Sequence, residues 1–128
     1  MSKAVGADVL YPELSYQIME IVFEVHNRLG PGFAEDIYEE ATVFELETRP
    51  IPFERQKTIL VVYKGRVVGK HRLDLVIDNK IILELKAVSA LNDVFKQQLL
   101  SYLKATGLRL GILINFGGKR VEAVRIVN

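Results

Sequence analysis

Two carboxylates and a lysine interrupt apolar stretches of this chain. Asp74 lies within Leu73-Asp74-Leu75-Val76-Ile77, and Glu84 and Lys86 lie within Ile81-Ile82-Leu83-Glu84-Leu85-Lys86. Side chains alternate along a strand, so Asp74 is expected on the face of Val76, and Glu84 and Lys86 on the face of Ile82. With Asp78-Asn79-Lys80 as a three-residue turn, Asp74 falls directly across from Glu84, their Cβ atoms about 5 Å apart. Two like charges facing each other beside Val76 and Ile82 destabilise a sheet. A divalent cation between them resolves the conflict, because hard cations such as Mg²⁺ take carboxylate and water oxygens at roughly 2.0–2.1 Å. Lys86, on the same side, can orient and help deprotonate a metal-bound water and offset charge growing on a phosphate. The competing reading puts these charges on a solvent-facing edge strand. The flanking Ile and Leu runs weigh against it, although a one-residue slip in register would remove the pairing.

The elements that must position these groups follow from periodicity. Residues 1–13 read as a weakly structured lead-in ending at Tyr11-Pro12. From Ser15, an expected N-cap, Ile18, Ile21, Val22, Val25 and Leu29 recur at helical spacing, and Gly30-Pro31-Gly32 ends the helix. A second helix carries Phe33, Ile37, Ala41 and Phe44 as its expected apolar stripe, closed by Pro50 and Pro52. The texture then turns to β: Thr58–Tyr63, a Lys64-Gly65 turn, Arg66–Ile77 with a bulge near Gly69, and Ile81–Lys86 as a buried central strand. A helix over Leu91–Ala105 should turn Leu91, Val94, Phe95, Leu99 and Leu103 inward. It is followed by strands at Leu108–Phe116 and Arg120–Val127. The expected order is ααβββαββ, a single α/β domain over residues 1–128.

Composition narrows the functional classes. The 128 residues hold 17 Lys and Arg against 16 Asp and Glu, a net charge of +1, so binding by bulk polycation charge is excluded. At 49% hydrophobic and 26% charged, the chain is globular in type. It has no cysteine, which removes disulfides, thiolate zinc sites and cysteine nucleophiles and fits a reducing, cytoplasmic compartment. No signal segment or membrane span is read. The total charge conceals a split. Residues 1–54 hold three bases and eleven acids, net −8, and residues 55–128 hold fourteen bases and five acids, net +9. Arg55, Lys57, Lys64, Arg66, Lys70 and Arg72 cluster in the first two strands, where they can track a phosphate backbone or simply face solvent.

Asp74, nine residues, then Glu84-Leu85-Lys86 is a D-x9-E-x-K pattern across a hairpin. It resembles the signature of the PD-(D/E)XK nuclease superfamily, whose αβββαβ core order is also found here. Upstream, Gly32-Phe33-Ala34-Glu35-Asp36-Ile37-Tyr38 reads G-x-x-E-x-x-Y and resembles the motif of the small GxxExxY proteins. Glu84–Ala87, Gln98–Gly107 and Leu113–Gly117 are similar to the same family, so the likeness covers about residues 15–127. It implies a restriction-endonuclease-like mixed sheet flanked by helices and a Mg²⁺- or Mn²⁺-dependent phosphodiesterase acting on nucleic acid, DNA above all. It implies Asp74 and Glu84 as metal ligands, Lys86 as the general-base or electrostatic lysine, and Glu35 as an additional acid aimed at the metal. Gln98 and Tyr102, a Q-x-x-x-Y element, would position substrate. Leu73 stands where the superfamily's name has proline.

Two other outcomes stay open: a non-catalytic nucleic-acid-binding module on this fold, and a subunit of a larger repair or mobile-element complex. A homodimer is also compatible. Tyr38 reads as an ordinary half-buried aromatic, and His26 as a helix-face residue. His71, three residues before Asp74, falls on the opposite face of a regular strand and is not expected at the site. No Ser/His/Asp set, zinc spacing or dinucleotide fingerprint is present.

Overall fold

The computed structural model describes residues 10–128. Helix α1 (Pro12–Leu29) has proline in its first turn and buries Ile18, Ile21, Val22 and Val25, the stripe expected from their spacing. It starts earlier than expected. Ser15 is not its cap but a buried helical residue whose hydroxyl accepts from Arg125 Nη1 at 3.0 Å. The expected lead-in is therefore helical from Pro12, and its positions 1–9 lie outside the described residues.

Helix α2 (Glu35–Thr48) corrects a second expectation. Its buried residues are Tyr38, Glu39, Thr42, Val43 and Leu46, whereas Phe33, Ile37 and Phe44 are exposed. The inward face is partly polar because its polar groups are satisfied there: Thr42 donates to the Tyr38 carbonyl and Glu39 is ion-paired. Hydrophobicity alone therefore pointed to the wrong side.

Strands β1 (Phe53–Tyr63), β2 (Arg66–Ile77), β3 (Ile81–Lys86), β4 (Leu110–Asn115) and β5 (Glu122–Val127) form one sheet in sequence order. All neighbours are antiparallel except β3 and β4, which are parallel and joined through helix α3 (Asp93–Thr106). The β1–β2 register shifts between Val61 and Val62, leaving Val68 unpaired beside Gly69, the expected bulge. The β2–β3 turn closes with Lys80 N–H donating to the Ile77 carbonyl, and Asp78 and Asn79 both take positive φ, a conformation these residue types tolerate.

Helices α1 and α2 cover one face of the sheet, over Leu75, Ile77, Leu83, Leu85 and Ile112. Helix α3 covers the other, placing Leu99 and Leu103 over Leu73, Val76, Ile82 and Leu113. Every residue of β3 but Lys86, and every residue of β4, is buried, as their apolar runs require. Asn92 caps α3 through its side chain, and Val94, expected inward, is exposed.

Candidate active site

The turn at Asp78–Lys80 sets the register Ile77 to Ile81, Val76 to Ile82 and Leu75 to Leu83. The ladder ends there, and the next two residues are Asp74 and Glu84. In place of backbone bonds, their carboxylates bridge the parting strands. Glu84 Oε2 accepts from Asp74 N–H at 2.9 Å, and Asp74 Oδ2 accepts from Leu85 N–H at 2.8 Å. One oxygen of each carboxylate is thus pinned. Neither second oxygen has a partner among the described residues, and no buried side-chain oxygen or nitrogen there lacks one, so both second oxygens reach solvent.

Glu84 is 6% exposed. Burial pushes its carboxyl up to about 8, the Asp74 charge adds to this, and the Asp74 N–H and Lys86 oppose it. Burial also raises Asp74, against the Leu85 N–H, with Glu39 adding repulsion. Two ionised carboxylates at this spot conflict unless positive charge joins them.

Lys86, at the end of β3, holds its ammonium 4.7 Å from the centre of the Phe95 ring, a cation–π contact that aims it across the sheet end towards α3. Its backbone is fixed as well, since Phe116 N–H donates to the Lys86 carbonyl at 2.8 Å. Beyond it, Asn115 receives Val88 N–H and donates to the Val88 carbonyl, both at 2.9 Å, so the loop leaving the site is held at both polar groups. The spacing of Phe95 predicts a core residue, and nothing in it shows the lysine above the ring.

From the α2 side, Glu35 enters the field of these groups. Desolvation raises its carboxyl, Lys86 lowers it, and the charges of Asp74 and Glu39 raise it further. Its position depends on Tyr38, which is fully buried. The Tyr38 hydroxyl donates to the Gly30 carbonyl and accepts from Phe33 N–H, while its ring stacks on Phe116 at 4.5 Å. The tyrosine clasps the loop that leads into Glu35, a stronger role than that of a half-buried aromatic. Glu39, one turn on, was missed. It is buried, accepts from Arg55 Nε at 2.7 Å and from Gln56 Nε2 at 2.8 Å, and bears on Asp74. The i, i+4 spacing from Glu35 was the available signal.

His71 is the second omission. Its ring stacks on Tyr102 at 4.1 Å, and the charges of Asp74 and Lys86 both act on it. The expectation that it faces away fails because the alternation slips at Asp74. Leu73 packs under α3 while Leu75, two residues on, packs under α1 and α2. Across from this slip, Gln56 takes φ 52° on β1. Burial raises Tyr102, and the Glu84 and Asp74 charges add to the effect. Gln98 is exposed on α3, one turn earlier, with no hydrogen bond to either acid among the described residues.

The donor set suits a hard cation that keeps part of its water shell. Two carboxylates each offer a solvent-reaching oxygen, and ionising both in this buried position needs compensating positive charge. Among the described residues no three Asp, Glu or His side chains converge as a metal-binding group, so Glu35 is near the site without completing a ligand triad.

A family model described as the PD-(D/E)XK nuclease superfamily matches residues 12–126. The chain belongs to the PD-(D/E)XK nuclease superfamily. Its ααβββαββ order and mixed sheet between helices are the restriction-endonuclease-like arrangement of that superfamily. The crystal structure of SSO0001 matches with a TM-score of 0.60 at 24% identity, over 73% of this chain and 49% of that one. This PD-(D/E)XK chain therefore spans about half the length of that solved structure, and the likeness concerns the fold. No curated protein matches it. Among the described residues, no helix is long and apolar enough to cross a membrane.

Proposed function

We propose that this PD-(D/E)XK chain hydrolyses phosphodiester bonds in nucleic acid, DNA above all, with Asp74 and Glu84 holding Mg²⁺ or Mn²⁺. The observation that carries this reading is the exchanged pair at the strand ends: one oxygen of each carboxylate pinned by backbone N–H, the other open. Bound there, the ion supplies Lewis-acid charge to the phosphate and acidifies water. Lys86 holds the attacking water and offsets charge on the phosphate as the water oxygen bonds to phosphorus and releases a proton to solvent, one ester P–O bond breaks and the leaving oxygen takes a proton from solvent. Phe95 keeps the ammonium aimed. Glu35 is a further acid acting on the water shell, and Gln98 and Tyr102 line the substrate path. The Gly32, Glu35 and Tyr38 pattern supports a place among the GxxExxY proteins, with Tyr38 as the clasp that sets Glu35.

The test is metal titration with end-labelled DNA and RNA, comparing wild type with Asp74→Ala, Glu84→Gln and Lys86→Ala. Expected are cleavage that requires Mg²⁺ or Mn²⁺ and losses of about 10²-fold or more in each variant, typical of removing charge stabilisation at a reacting phosphate. Calorimetry should show weakened metal binding in Asp74→Ala and retained binding in Lys86→Ala. Nucleic-acid binding by wild type with no cleavage in either metal would replace the enzyme by a binding module on the same fold.

A further inference from the structure

The β1 and β2 strands run well past the rest of the sheet. β2 pairs with β3 only over Leu75–Ile77, whereas its pairing with β1 continues to Arg66 and Tyr63. The paired stretch from Thr58 to Tyr63 is a two-stranded arm roughly 20 Å long. It leaves the sheet at the end that carries Asp74, Glu84 and Lys86, where β2 reaches Asp74 directly from the arm, and it lies against α3: Ile59 is buried with Leu99 and Leu103, and Leu60, Val61 and Val62 line a cleft with Ser101, Lys104 and Ala105.

Charge on this arm has one sign. No acid occurs between Glu54 and Asp74, and six bases do. Two are occupied: Arg55 with Glu39 and Glu40, and Lys57 with Glu54. Lys64, Arg66, Lys70 and Arg72 are exposed and have no acidic partner among the described residues. Lys70 and Arg72 share a face and line a cleft of about 660 Å³ with Gln56, Thr58 and His71. That cleft reaches the site through His71, which stacks on Tyr102, and through Gln56, which bonds Glu39. The arm also exposes Leu60, Val61, Val62, Tyr63, Val67 and Val68, an apolar surface that its packing on α3 leaves largely uncovered. A second copy of the chain would face these cations with its own across a two-fold axis. A polyanion complements them.

We propose that the arm is the docking element for double-stranded nucleic acid. A two-stranded ribbon fits a major groove about 12 Å wide, and the unpaired bond groups and extra twist at Val68 let it follow a curved surface. Lys70 and Arg72 hold the phosphates nearest the acids, Lys64 and Arg66 hold those at the tip, and the apolar side chains lie against sugars and base edges. This rests on the nuclease reading for its purpose, but its test does not need catalysis.

Anisotropy of a labelled 20-base-pair duplex and of its single strand is measured with the full chain in EDTA, across a salt series. Lys70→Ala/Arg72→Ala and, separately, Lys64→Ala/Arg66→Ala should each weaken duplex binding about tenfold or more. Each should also lower the salt slope by about 2, since each phosphate contact carries about 0.9. Lys80→Ala/Arg109→Ala, at the other end of the sheet, should leave affinity and slope as in wild type. All four arm positions are exposed, and coincident melting curves confirm folding. The proposal is overturned if wild type does not bind duplex, if it binds the single strand as tightly, or if arm and control variants behave alike. Binding that follows the arm without cleavage in any metal sinks the catalytic reading and leaves the arm. Cleavage with arm variants that bind like wild type does the reverse.

Discussion

At the scale of single residues, the site is a conflict held in place. Glu84 keeps its proton in the folded protein up to about pH 8, whereas in the unfolded chain it ionises near 4.5. Between those values the folded state binds more protons than the unfolded, so stability falls as pH rises. The contribution is complete below the unfolded value and is lost as the pH climbs to and through about 8. Asp74 shifts in the same direction. The metal-free protein should therefore melt lower at pH 8.5 than at pH 5.5, by about 3–5 °C for each kcal/mol involved. Glu84→Gln, which cannot ionise, should flatten that dependence, and Mg²⁺ should raise the melting temperature more at pH 8.5 than at pH 5.5. Scanning calorimetry checks all three; equal pH profiles for wild type and Glu84→Gln would refute the account. The pairing of Asp74 with Glu84 was legible because Asp78-Asn79-Lys80 announces its turn and a turn fixes register. His71 was not legible. A slip in alternation at Asp74, matched by a left-handed Gln56, leaves no mark in residue type.

Among elements, the loops that hold the site matter more than the helices that cover it. Tyr38 makes two hydrogen bonds to the loop before α2, so Tyr38→Phe should cost about 1–3 kcal/mol and reduce cleavage by loosening Glu35. Denaturant melts and kinetics at saturating metal separate the two effects. The two glycines of the sheet region give a sharper contrast. A Cβ on Gly117 would stand 2.1 Å from the Val88 carbonyl oxygen and 2.6 Å from its nitrogen, and Asn115 pins that same backbone. Neither side can yield cheaply, so Gly117→Ala should cost about 2–4 kcal/mol. Gly69→Ala meets nothing within 4 Å and should stay within about 0.5 kcal/mol. Urea unfolding of the two variants decides this; similar midpoints would mean that the Val88 loop moves freely. Element order, the buried central strand and the bulge near Gly69 were legible because alternation and turn chemistry are local signals. The inward face of α2 was not, because Tyr38, Glu39 and Thr42 are buried through bonds to partners distant in sequence or hidden in the backbone.

For the whole molecule, the near-zero net charge is a sum of two opposed layers. The first 54 residues, mostly α1 and α2, carry −8, and the remainder, with the sheet and α3, carries +9. Some of this opposition is spent inside the fold, where Arg55 pairs with the buried Glu39 and the exposed Glu40. The exposed ion pairs, such as Arg28 with Glu24 and Lys57 with Glu54, contribute little to stability, about 0–1 kcal/mol each, and salt weakens them further. The unpaired bases of the arm act differently, because the potential they create reaches an approaching polyanion from about a Debye length away, roughly 10 Å at 0.1 M salt. The acidic helices α1 and α2, on the face of the sheet away from α3, orient the encounter by repelling the same polyanion. Stability and association should then part company. Between 50 and 200 mM NaCl the melting temperature should move by about 2 °C or less, as weak surface pairs imply. The rate of association with duplex should fall by about tenfold or more, as several phosphate contacts imply. Stopped-flow mixing and thermal melts in the same buffers compare the two directly. If the association rate proved as indifferent to salt as the melting temperature, the charge split would be a property of the surface with no role in capture.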